Sequence, residues 1–83
     1  MIEIDDKLKT DFAFLLQSKP EKIAPELVLG SEADGTTWDS MAIVSTIALA
    51  DERFGVVLDG AALAKCGTLA AVLALIEKEL ARK

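Results

Sequence analysis

The chain has no histidine, no tyrosine, one cysteine and two prolines in 83 residues. Without histidine it lacks the commonest general base and the commonest metal ligand. A serine nucleophile would have no imidazole beside it, which disfavours hydrolase-type catalysis. Cys66 has no partner for an internal disulfide, which fits a reducing cytoplasm. No set of spaced Cys and His offers a transition-metal site. The longest clean apolar run, Leu69 to Ile76, is too short to span a bilayer. No basic segment followed by an apolar stretch opens the chain, so no signal peptide is expected. Glycine-rich phosphate loops and calcium-loop spacings are also missing, and the carboxylates are dispersed. Nothing here reads as an enzyme site.

Positive charge is in deficit too. The net charge is −5. An acidic surface repels phosphate backbones and anionic lipid, so no nucleic-acid partner and no membrane insertion are expected. The same charge suits a partner with a basic patch, and it is equally an ordinary means of keeping a small protein in solution.

What the chain does have is aliphatic residues. Hydrophobic residues make up 52%, enough for a core, yet the aromatics are only Phe12, Phe14, Trp38 and Phe54. Alanine and leucine dominate, and both favour helix. The length allows one small domain, residues 1–83.

Four helices are expected. The first is capped by Asp5 or Asp6 and runs to about Ser18, with Leu8, Phe12, Leu15 and Leu16 on one face and Phe14 off it. Pro20 is expected to stop it. Residues 19–37 read as a long loop, punctuated by Pro20, Pro25, Gly30 and Gly35 and pinned to the core by Ile23, Leu27, Val28 and Leu29. A second helix starts at Asp39 or Ser40 and buries a Val44–Ile47–Ala50–Phe54 stripe, marred by Asp51. Gly55 ends it with a left-handed cap. Asp59 caps a brief third helix through Lys65. Thr68 caps the last, whose Leu69, Val72, Leu73, Ile76 and Leu80 show the cleanest periodicity in the chain. Phe12, Ile47, Phe54, Val72 and Ile76 are the expected centre of the core. Three apolar residues, Val56 to Leu58, lack a partner run and read as a linker, not a strand.

The chemistry-bearing candidate is Asp39-Ser40-Met41, at the junction of the long loop and an apolar helix. Ser40 reads as either a plain helix cap or a hydroxyl presented to solvent for modification. Trp38 covers the loop against the bundle or offers an aromatic anchor to a partner. Cys66 occupies an apolar position at the end of the short helix and reads as a buried, unreactive thiol.

In this context the chain resembles the acyl carrier protein family, whose signature at the start of the second helix is Asp-Ser-Leu. Phe54 falls where the family has the aromatic ending that helix. Leu58-Asp59 opens the short third helix, and Gly67-Thr68-Leu69 opens the fourth. The resemblance covers helix order, loop lengths and size across the whole chain. It implies an all-α four-helix bundle with a long loop between helices 1 and 2 and a short third helix. It also implies a free-standing cytoplasmic monomer, not an enzyme, carrying acyl or aminoacyl groups as thioesters on 4'-phosphopantetheine attached to Ser40. Asp39 would complete the motif and meet the phosphopantetheinyl transferase. Further partners would be a loading ligase and downstream transferases. The chain departs from the family in having no charge from Met41 to Ala50. This implies a specialised pathway and an apolar docking face of Trp38, Met41, Ser45 and Leu49, with Asp51 and Glu52 beyond it. Ala42, Ser45 and Leu49 are expected to turn away from the core. The competing reading is a carrier-like bundle that acts through protein contacts alone and bears no prosthetic group.

Overall fold

A computed structural model of the chain describes residues 4–30 and 37–82; Asp34, Gly35 and Lys83 lie outside them. Four α-helices follow one another: α1 (Asp6–Leu16), α2 (Ser40–Phe54), α3 (Gly60–Ala64) and α4 (Leu69–Ala81). Among the described residues there is no β-strand, only a bridge pairing Val28 with Thr68.

Each helix starts on a side-chain cap. Asp5, Asp39, Asp59 and Thr68 accept the amides of Leu8, Ala42, Ala61 and Ala71 respectively. Those amides have no partner within their own helix, so the capping oxygen replaces water that folding removes. Chain reversal at Gly55 uses a left-handed backbone (φ 67°), which glycine adopts without strain. α1 ends differently from expectation. It stops at Leu16 because Gln17 takes the left-handed conformation (φ 56°) and turns its N–H back to Ala13 and Phe14. Pro20 does not stop α1; it opens a turn of 3₁₀ helix, Pro20–Lys22, where its fixed φ suits the first position.

The first half of the long connection is held by backbone, not only by apolar side chains. The opening amides of α4 are answered from the loop: Leu69 N–H donates to Leu27 O at 2.9 Å and Ala70 N–H to Pro25 O at 2.8 Å. Leu29 N–H donates to Gly67 O at 3.0 Å. The loop therefore serves as part of the α4 cap. Ile23, Leu27 and Leu29 are buried by this arrangement, whereas Val28 faces outward at 46% exposure, contrary to its expected role as a pin.

The core gathers Leu8, Phe12 and Leu16 of α1 with Leu69, Val72, Leu73 and Ile76 of α4, and Leu63 of α3 closes it. The expected core stripe of α2 is corrected. Its buried residues are Ala42, Thr46 and Ala50, while Val44 is 64% exposed and Ile47 and Phe54 are only partly buried. Small side chains at i, i+4 and i+8 let the α2 backbone approach its neighbours closely, which turns the larger residues to the flanks. Thr46 is tolerated at 0% exposure because its hydroxyl donates to Ala42 O at 2.8 Å. Arg53 ties the end of α2 to α1 through Asp11 (3.3 Å) and Asp5 (3.6 Å). Partly exposed pairs of this kind contribute about 0–1 kcal/mol each.

Phe12→Ala should cost about 3–5 kcal/mol in urea melts, since the ring is wholly enclosed. Phe54→Ala should cost clearly less, because that ring is only partly buried. Equal costs would show that the core extends to the end of α2.

Candidate functional site

Asp39 and Ser40 divide two tasks between them. Asp39 has extended backbone (φ −113°, ψ −174°), and its Oδ1 accepts Ala42 N–H at 2.9 Å. Its own carbonyl accepts Ile43 N–H at 3.0 Å. Asp39 is thus the N-cap of α2, and Ser40 is the first residue inside the helix. The cap reading of Ser40 is corrected: the capping oxygen belongs to its neighbour. Ser40 is exposed. Its hydroxyl stands at the positive end of a 15-residue helix, where the first-turn amides and the helix dipole favour an anion.

The approach to this junction is fastened on two sides. Thr37 N–H donates to Leu16 O at 3.0 Å, which joins the strand of loop before Ser40 to the end of α1. Trp38 Nε1–H donates to Leu63 O at 3.0 Å, which joins it to α3. Leu63 O already accepts the Cys66 N–H at 3.0 Å, so the indole is a second donor that fastens the end of this five-residue helix to Trp38. Gly30 lies against the same residue. Its left-handed backbone (φ 72°) would place an added Cβ 3.5 Å from the Trp38 Cβ. Trp38 therefore packs, with its polar edge satisfied, between the loop and α3.

The expected apolar face around Ser40 is partly rearranged. Met41 is exposed at 75%, and Ser45, Asp51 and Glu52 are exposed as expected. Leu49 is not: it packs against the core and lines a groove between α1 and α2. Ala42, expected outside, is buried at 3%. Trp38 is half-buried, with its indole N–H bonded to α3. Two further apolar residues are exposed, Val44 against expectation and Phe14 in line with it. Phe14, already off the α1 stripe, is exposed at 87%, more than any other large apolar side chain among the described residues.

Cys66 is half-buried, and its Sγ donates to Ala62 O at 3.5 Å. Burial pushes its thiol pKa up from the ordinary value, so it stays protonated at neutral pH and is a poor nucleophile. Among the described residues, no group of three or more histidine, cysteine, aspartate or glutamate side chains could hold a metal ion. No described helix is long and apolar enough to cross a membrane.

No protein-family model matches the chain, and neither a curated protein nor a solved structure does.

Trp38→Phe keeps an aromatic ring between loop and α3 but deletes the donor. It should cost about 1 kcal/mol in urea melts, the net worth of one hydrogen bond. No change would mean that the Cys66 N–H already satisfies Leu63 O without the indole.

Proposed function

We propose that the chain is a carrier protein of the acyl-carrier type, with Ser40 the attachment point of a phosphopantetheine arm. The observation that carries this reading is the division of labour at the α2 N-terminus. Asp39 Oδ1 caps the helix, so the Ser40 hydroxyl is exposed and not consumed by capping. The helix order, the long connection before Ser40 and the five-residue α3 accord with the family's bundle.

The residues present fit the group. Ser40 Oγ would hold it covalently, and the first-turn amides of α2 would lie beside its phosphodiester. Attachment would form a P–O bond at Ser40 Oγ and break the pyrophosphate of coenzyme A, with the nucleotide half as the leaving group. The proton leaves Ser40 for a base that the transferase supplies, so the missing histidine is no obstacle. When bound, the arm supplies the thiol on which acyl or aminoacyl cargo is carried. The chain's own part is to present Ser40 at a fixed place. The Thr37 and Trp38 ties do that by holding the junction to α1 and α3. Cys66, half-buried and protonated, does not compete as a thiol.

Incubation with coenzyme A and a permissive transferase should add one phosphopantetheinyl group, read by intact mass. Ser40→Ala should abolish the addition and leave the helical circular dichroism unchanged. An unmodified wild-type chain, beside a positive-control carrier in the same reaction, would overturn the proposal. It would leave the bundle as a protein-contact module. Modification of Ser40→Ala would move the site elsewhere.

A further inference from the structure

Along the seam between α1 and α2 lie two adjoining cavities of about 450 and 370 Å³. Phe14, Leu15 and Ser45 line both, so they form one open groove. One end is at Asp39 and Met41, beside Ser40; the other is at Asp11 and Glu52. From Met41 to Glu52 the groove follows roughly 16 Å of α2, about three helical turns. Its walls are mainly apolar, and Phe14 and Met41 stand exposed along it at 87% and 75%. A phenyl ring left this open on a small acidic protein carries a hydration cost that a partner would remove.

The charges say which partner. No lysine or arginine lines either cavity, whereas Asp39, Asp11 and Glu52 do. Asp11 is already answered by Arg53 at 3.3 Å. Asp39 caps α2 through Oδ1 alone, so an exposed carboxylate oxygen stands at one end of the groove and the exposed Glu52 at the other, with apolar wall between them. The whole chain adds a net charge of −5 in the same sense. We propose that the α1–α2 groove receives an amphipathic helix of a partner protein, apolar along one seam and flanked by lysine or arginine, with Phe14 as the anchor. Three turns match the span over which a docked helix places its i, i+3 or i+4, and i+7 anchors. Basic residues at both ends of that seam meet Asp39 and Glu52, and screening by salt weakens those contacts while the Phe14 contact persists.

This inference goes beyond the carrier reading and does not depend on it, because the groove exists in the unmodified chain. The test therefore uses the full chain without its arm. A fluorescent leucine–lysine helical peptide is titrated with the protein and followed by anisotropy. A leucine–glutamate peptide of the same length and pattern serves as the control. The lysine peptide should bind and the glutamate peptide should not. Phe14→Ser, a surface change, should weaken binding roughly ten- to a hundredfold, the worth of one buried aromatic side chain. Val57→Ser removes another exposed apolar residue (75%), one that does not line the groove, and should leave the affinity unchanged. Glu52→Gln should weaken binding and flatten its salt dependence. Equal binding by wild type and Phe14→Ser, or equal uptake of both peptides, would overturn the proposal. Self-association of the protein that disappears in Phe14→Ser, without peptide binding, would overturn it in favour of a second copy as the occupant.

Discussion

The hydrogen bond from Ala42 N–H to Asp39 Oδ1 is the contact on which the functional reading depends. A helix N-terminus needs one acceptor close to its third amide. If Ser40 supplied that acceptor, its hydroxyl would be turned into the helix and α2 would begin one residue later. Because Asp39 supplies it, α2 begins at Ser40, and the serine faces solvent with no structural duty. A helix that is 15 residues long then presents its positive end beneath that hydroxyl.

Holding a free hydroxyl in place needs more than a cap. The segment before Ser40 follows a long connection, whose wandering would blur the position of the site. Two short bonds prevent this, from Thr37 to the end of α1 and from Trp38 to α3. Earlier in the same connection, Leu27 and Pro25 offer their carbonyls to the first amides of α4. The described part of the connection is consequently structural: it completes one helix N-terminus and steadies another. Small residues on the buried side of α2 belong to the same economy of space. Ala42, Thr46 and Ala50 bring α2 close to the core and leave its larger side chains for the groove and the surface.

Much of this was legible in the residues. Capping chemistry is local, so Asp39, Asp59, Thr68 and Gly55 marked the ends of helices where the structure has them. The α4 stripe was legible because it is long and unbroken. The buried side of α2 was not. Val44, Ile47 and Phe54 carry more hydrophobic surface than Ala42 and Thr46, so patterning by size found only Ala50 of the buried side; close approach of backbones, a tertiary demand, chose the small residues. The end of α1 was missed for a similar reason, since nothing in Gln17 announces a left-handed conformation. At the site, Asp39 and Ser40 could each have been the cap on composition alone, and only the bond to Ala42 separates them. The bond from Trp38 to Leu63 spans 25 residues and has no local signal at all.

The central claim is that capping belongs to Asp39 and leaves Ser40 free, and amide hydrogen exchange at Ala42 tests it most directly. In Asp39→Ala the Ala42 amide should exchange markedly faster, with a loss of about 1 kcal/mol in stability. In Ser40→Ala it should exchange at the wild-type rate. The reverse pattern, with Ser40→Ala releasing the amide and Asp39→Ala leaving it protected, would make Ser40 the cap and contradict the account.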